Sequence, residues 1–130
     1  MKRKEAREYV MSQAFQIDAS RDWDRQAEEL IDKEELGNQY DYALNVLSHV
    51  ISERDKIDSM INEVSTGWTT GRMAKTDIAI LRVAVSEILY QEDVPKAVAI
   101  NEAVEMAKIY GTDDSSKFIN AILGKIPEAS

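Results

Sequence analysis

Apolar residues recur at spacings of three and four along most of the chain, which is the period of an amphipathic α-helix. In the first predicted helix, from about Lys2 to Ile17, the apolar face comprises Ala6, Val10 and Ala14 together with Ile17. No segment keeps the strict alternation that is typical of a half-buried strand. Because only two prolines and five glycines interrupt the pattern, we predict an all-α protein.

The same pattern predicts about six helices within one domain, residues 1–130. The main break is the Gly/Ser/Thr-rich segment 65–76, which divides the chain into subdomains of about 1–66 and 72–130 that can pack as two bundles. The later helices are predicted over 23–32, from Tyr40 to about 64, from Thr76, from Pro95, and from a cap within 113–116 to Pro127.

The fourth predicted helix is apolar on more than one side, which indicates a helix buried among others. Ile78, Leu81 and Val85 define one face, and Ile80 and Val83 extend the apolar surface beyond it. Its start is predicted from the side chains of two polar residues. Thr76 is expected to cap the helix, and Asp77 to lie in its electropositive first turn.

Charge changes this picture in one place. The net charge is −8, from 24 acidic and 16 basic residues, which argues against non-specific attraction to nucleic acid over the whole surface. Acidic residues concentrate between Asp18 and Asp41. The basic residues at the start of the chain form a local exception. They are Lys2, Arg3, Lys4 and Arg7.

The search for catalytic chemistry is negative. His49 is the only histidine and there is no cysteine, so neither a disulfide nor a thiolate metal site is possible. No phosphate-binding glycine loop or nucleophile elbow occurs. Paired acids are better explained as helix-surface charges (Glu102 and Glu105) or caps (Asp113 and Asp114). We therefore expect no enzyme activity, cofactor or metal.

The chain has no apolar run near the ~20 residues that a membrane helix requires. Its basic start has no apolar segment behind it and does not resemble a secretory signal. The expected location is the cytoplasm, with no membrane partner.

From the residues alone, the basic start has two interpretations. It is either a solvated helix end, partly neutralised by Glu5 and Glu8, or a phosphate-binding patch. Lys117 and Phe118 are equally open, because Phe118 can be a core residue, a platform for stacking bases, or both when partly exposed.

Four segments of the chain form a specific set of motifs. They are Ile80-Leu-Arg-Val-Ala-Val-Ser-Glu-Ile-Leu, Asp93-Val-Pro, Ala99-Ile-Asn-Glu-Ala-Val-Glu-Met-Ala-Lys and Lys117-Phe-Ile-Asn-Ala-Ile-Leu. In their order and spacing, they resemble the transcription antitermination factor NusB family, and Ala6-Arg-Glu with Gln13-Ala-Phe-Gln resembles its opening basic helix. Ser86 stands where the family often has tyrosine, and Ala121 where it usually has glycine.

The resemblance implies an all-helical fold of two three-helix bundles without enzyme activity. It also implies binding to boxA RNA together with the ribosomal protein NusE, which helps RNA polymerase resist termination. Carried over by position, Asp77 and Arg82 would face NusE. The RNA contacts would be Lys2, Arg3, Lys4, Arg7, Phe15, Asp114, Lys117 and Phe118. On this basis we expect Arg7→Ala to weaken boxA binding and to flatten its salt dependence.

Two other functions compete with this one. The acidic charge and the apolar helical faces are compatible with a protein-interaction module or homodimer that has little affinity for RNA. An accessory domain of an RNA methyltransferase is a poorer explanation, because no catalytic domain is expected before the chain ends at Ser130.

Overall fold

Helices build the whole structure, a computed structural model that describes residues 1–65, 67 and 70–128. The described residues contain no strand, and six helices have ten residues or more, so the predicted all-α class is confirmed. Two short 3₁₀ turns span Gly37–Gln39 and Thr70–Arg72. The α-helices are α1 (Arg3–Ser20), α2 (Ala27–Leu30), α3 (Lys33–Leu36), α4 (Tyr40–Ser52), α5 (Arg54–Val64), α6 (Lys75–Tyr90), α7 (Lys96–Tyr110) and α8 (Ser115–Gly124).

Helix α1 has the apolar face that its sequence predicts. Its four predicted core residues are all buried. At its start, the Glu5 carboxylate accepts a hydrogen bond from the Lys2 backbone N–H at 2.9 Å, which satisfies one of the donors left over at a helix N-terminus. At its end, Arg21 adopts the left-handed conformation with φ 60°, and the chain turns away.

The predicted second and third helices differ from the structure. Only Ala27–Leu30 is helical within 23–32, because Asp32 starts a new turn by accepting hydrogen bonds from the backbone N–H groups of Glu34 and Glu35. The predicted third helix is divided at Glu53, whose ψ of 19° ends α4 before α5 begins.

Two predictions about the start of α6 have different outcomes. Thr76 is not the cap, because α6 begins at Lys75 after Ala74, although Asp77 does lie in the first turn. Thr66, Trp68 and Thr69, which belong to the predicted break, lie outside the described residues. The division into subdomains near 66–72 therefore stays a prediction.

Helix α6 is the centre of the fold. Every residue from Asp77 to Ile88 is buried, as its apolar faces predict, and the helix packs against α1, α4, α5, α7 and α8. Helices α1 and α4 pack on each other and on α6, and α7 and α8 do the same, so α6 joins both groups in one continuous core. Two polar side chains of α6 contact α1: Glu87 near its start and Arg82 near its end.

Two small residues allow close packing. Ser86 is fully buried, and its hydroxyl donates to the backbone carbonyl of Val46 at 3.3 Å, which joins α6 to α4. At Gly111, an added Cβ would lie 2.6 Å from the Cβ of Ser115. The turn between α7 and α8 therefore requires glycine at this position.

Candidate nucleic-acid interface

The start of α1 presents three cations that no carboxylate of the described residues neutralises within ion-pair distance. Lys2 and Lys4 are exposed, and Arg3 is half-buried. The Nε of Arg3 donates to the side-chain oxygen of Gln39 at 2.6 Å, and its guanidinium carbon lies 4.0 Å from the ring centroid of Tyr42. Uncompensated cations of this kind can bind phosphate oxygens.

Arg7 is the exception in this basic cluster. It is buried, and its Nε and Nη2 donate to the two carboxylate oxygens of Glu87 at 2.7 and 2.8 Å, while Nη1 lies 3.8 Å from Glu102. Burial by itself lowers the pKa of Arg7, but pairing with Glu87 raises that pKa above its ordinary value. The predicted RNA contact of Arg7 stays a prediction, and the structure adds an internal role for its guanidinium. Its partner lies 80 residues away, so no local signal could have revealed the pair.

Tyr42 lies beneath both arginines. Its ring centroid is 5.5 Å from the guanidinium carbon of Arg7, on the same residue that Arg3 covers. The side chain is buried, and its hydroxyl has no hydrogen-bond partner among the described residues. Burial, and then the nearby Glu87 carboxylate, raise the pKa of Tyr42 above its ordinary range.

Phe15 lies on α1 about three turns beyond Arg3 and is half-buried. It lines a surface cavity of about 300 Å³ between α1, the start of α6 and the end of α7. Tyr110, which the sequence reasoning missed, is 47% exposed here and donates from its hydroxyl to Glu8 at 2.5 Å. The signal available in the sequence was its position, because an aromatic residue stands directly before Gly111, which follows α7. The other lining residues are Met11, Ser12 and Thr76.

A second cavity, of about 260 Å³, brings together residues that were predicted for different partners. Asp77, expected to face NusE, lines it beside Asp114 and Phe118, which were expected to face RNA. Asp77 is only 8% exposed, and its Oδ1 has no hydrogen-bond partner among the described residues. Lys117 is exposed on α8 but is not part of this lining. The remaining lining residues are Met73, Ala74, Thr112 and Ser115.

Arg82, predicted to face NusE, has its guanidinium paired with carboxylates inside the fold. Its Nε and Nη2 donate to both carboxylate oxygens of Asp58 at 2.9 and 2.8 Å, and Nη1 lies 3.3 Å from Asp18. Burial by itself lowers the pKa of Arg82, whereas the Asp58 carboxylate raises it to a net increase. These contacts join α6 to α5 and α1, and the predicted partner contact of Arg82 stays a prediction.

The other candidate residues have structural surroundings. His49 stacks on Tyr90 with ring centroids 4.5 Å apart, and its Nδ1 lies 2.8 Å from the Asn45 carbonyl. Glu102 faces Arg7, and Glu105 pairs with Lys108. Among the described residues, no cluster of three or more histidine or acidic side chains could hold a metal ion. No helix within the same residues is both long and apolar enough to span a membrane.

Comparisons with known proteins agree with this architecture. The NusB family model matches residues 4–128. The transcription antitermination protein NusB of Alkaliphilus oremlandii is 45% identical, over 98% of this chain and 94% of that protein. That of Agathobacter rectalis is 42% identical, over 96% of this chain and 98% of that protein.

The fold is also similar to a solved structure. The structure of T. maritima NusB superimposes with a TM-score of 0.86 at 32% sequence identity, covering 97% of this chain and 90% of that one. The matched residues include α1, the central α6 and both helices that follow it. The chain belongs to the NusB family of transcription antitermination proteins.

Proposed function

We propose that this protein is an RNA-binding antitermination factor that binds boxA RNA together with the ribosomal protein NusE. It acts by binding rather than by catalysis, and reaches the RNA polymerase elongation complex indirectly, through the RNA and NusE. The observation that carries the proposal is the group of cations at the start of α1. Lys2, Arg3 and Lys4 are all accessible to some degree, and no carboxylate among the described residues is paired with them.

The RNA backbone would lie across this first turn of α1, where the cations fix its position without reading sequence. Unstacked bases would then contact the partly exposed rings of Phe15 and Phe118, since bases of single-stranded RNA stack on aromatic side chains. Asp114 would accept hydrogen bonds from base edges, and exposed Lys117 would hold a neighbouring phosphate.

NusE would reach the cavity lined by Asp77. A carboxylate oxygen that is buried without a hydrogen-bond partner is costly, and a basic or polar side chain of NusE would satisfy it. Arg82 would contribute on the same side mainly by holding α6 in place, since its guanidinium is paired with Asp58. With a net charge of −8, the protein as a whole does not attract RNA at long range, and NusE would supply further affinity.

The test is a titration of boxA RNA and of a scrambled RNA, each with and without NusE. The informative variant is Lys2→Gln/Lys4→Gln. Its control, Arg21→Gln/Arg25→Gln, removes the same charge from the segment that follows the opposite end of α1, from residues that are also exposed. Because each lost phosphate contact on a single strand lowers the log–log salt slope by about 0.7, the first variant is expected to lose about 1.4.

We expect the control to keep the wild-type slope, and the wild type with NusE to prefer boxA over the scrambled RNA. Equal affinity for the two RNAs would remove the specificity claim. Equal losses in both variants would show that net charge, rather than the start of α1, governs binding.

A homodimer or protein-interaction module remains the second candidate, and one observation favours it. Val98 and Ile109 are 42% and 56% exposed on α7. Their spacing of eleven residues, about three turns, places them on the same face of that helix. Measuring the mass in solution with and without NusE separates the candidates, since a stable homodimer that ignores NusE would favour this one.

A further inference from the structure

Two arginines one turn apart on α1 share the ring of Tyr42, but the other partners of Arg7 are negatively charged and that of Arg3 is neutral. Arg7 is bound by the carboxylates of Glu87 and Glu102, which neutralise its charge. Arg3 is held by a neutral amide and a neutral ring, from Gln39 and Tyr42. Arg3 is therefore fixed in position while its full charge stays available.

We propose that Gln39 and Tyr42 are positioning residues, which hold the guanidinium of Arg3 ready to bind a phosphodiester of RNA. The proposal rests on the proposed function and deepens it, because it assigns residues outside α1 to the RNA site. Gln39 ends the 3₁₀ turn before α4, and Tyr42 lies in the first turn of α4. Neither residue carries charge for RNA itself.

The geometry determines which edge of Arg3 binds. Its Nε–H donates to the Gln39 side-chain oxygen at 2.6 Å, and its guanidinium carbon lies over the Tyr42 ring, 4.0 Å from the centroid. Neither Nη nitrogen has a hydrogen-bond partner among the described residues. The free edge of the guanidinium matches two oxygens of a phosphate, which it can bind in a bidentate manner.

Fixing this side chain in advance strengthens binding through entropy. A free arginine loses much of its rotamer freedom when it grips a phosphate, and this cost weakens binding by about two- to tenfold for each side chain that becomes ordered. Gln39 and Tyr42 impose the order during folding instead. Lys2 and Lys4 have no such support, so Arg3 contributes more affinity than either lysine.

The test is a double-mutant cycle between Arg3→Ala and Gln39→Ala, with boxA affinity measured in the presence of NusE. Asn38→Ala is the matched control, because this exposed neighbour lies in the same 3₁₀ turn. We expect Gln39→Ala to weaken binding about two- to tenfold in the wild type, and to have no further effect in the Arg3→Ala background. A merely structural role would lower affinity equally in both backgrounds.

Tyr42 provides an independent arm. Tyr42→Leu is expected to weaken RNA binding because it removes the ring that Arg3 covers, and the conservative variant Tyr42→Phe, which keeps the ring, is expected to restore it. Tyr42 is buried, so Tyr42→Leu can also impair folding; the Gln39 cycle decides the question in that case.

The outcomes separate this inference from the function on which it rests. Wild-type preference for boxA with no effect of Gln39→Ala, or with equal effects in both backgrounds, would overturn only the positioning role. Failure of the wild type to bind RNA even with NusE would overturn both.

Discussion

Basic residues have different surroundings at the first turn of α1 and around the buried helix α6. At the first turn, Lys2 and Lys4 are exposed and without carboxylate partners among the described residues, and Arg3 is held by neutral groups. Around α6, Arg7 and Arg82 are buried and each is bound by both oxygens of one carboxylate. Basic residues that look alike in sequence therefore divide into cations open to solvent, for which we propose RNA binding, and cations that hold helices together.

The same ion pairs also hold α1 in place behind its exposed cations. A buried, bidentate ion pair such as Arg7–Glu87 contributes little net stability compared with apolar packing, but it is specific in geometry. It fixes α1 against α6 directly behind the exposed first turn. The pair at Arg82 does the same near the other end of α1, through Asp18. The exposed cations at the start of α1 therefore belong to a helix that ion pairs fix near both of its ends.

The largest effect is expected from Glu87→Gln. It leaves the Arg7 charge buried without its counter-ion, and we expect the free energy of unfolding to fall by about 3–5 kcal/mol. Urea denaturation measures this change. The control Glu105→Gln removes an exposed pair with Lys108 and should cost less than about 1 kcal/mol. Equal costs would mean that the Arg7 pair is no more important than a surface pair.

Asp58→Asn should have a smaller effect on stability. Asp58 is partly exposed and Arg82 keeps Asp18 as a second partner, so solvent and the remaining carboxylate compensate for part of the loss. We expect about 1–3 kcal/mol by urea denaturation. A loss as large as that of Glu87→Gln would show that the two arginine clusters are equally enclosed.

Alkaline pH provides a third test, at Tyr42, whose ring lies beneath both Arg3 and Arg7. Tyrosine ordinarily has a pKa of about 10, and burial followed by Glu87 raises the pKa of Tyr42 in the folded protein. Above about pH 10 the unfolded chain loses this proton while the folded protein keeps it, so stability falls by up to about 1.4 kcal/mol per pH unit. The contribution is fully present below that pH.

Tyr42→Phe should remove this part of the alkaline decline, because phenylalanine has no proton to lose. Unfolding free energies of the wild type and the variant, measured from neutral to alkaline pH, are expected to separate in slope only above about pH 10. Parallel curves would contradict the direction of the pKa shift.

The smallest effect should come from Arg7→Met/Glu87→Met, which replaces both members of the buried pair. Apolar replacement of a whole buried ion pair is often neutral or stabilising, so the fold should be retained. If Arg7 only supports α1, boxA affinity and salt slope in the presence of NusE should stay at wild-type values. A flatter salt slope in this folded variant would support Arg7 as a direct RNA contact.

Several features were readable from the sequence because they depend on neighbours along the chain. The apolar spacing of α1 and the apolar surface of α6 predicted two buried helices. Short polar segments were predicted less well. Asp32 divides the predicted second helix because a single side chain accepts two backbone hydrogen bonds, an effect that periodicity does not register.

The sequence by itself determined the helical class, the buried character of α6 and the family to which the chain belongs, since local periodicity and ordered motifs survive without coordinates. Only the tertiary structure decided which basic residues are available. Arg3 and Arg7 have the same side chain and lie one turn apart, yet only Arg7 faces a carboxylate from α6. The energy of a charge depends on its burial and its counter-ion, and both are set by residues distant in the chain.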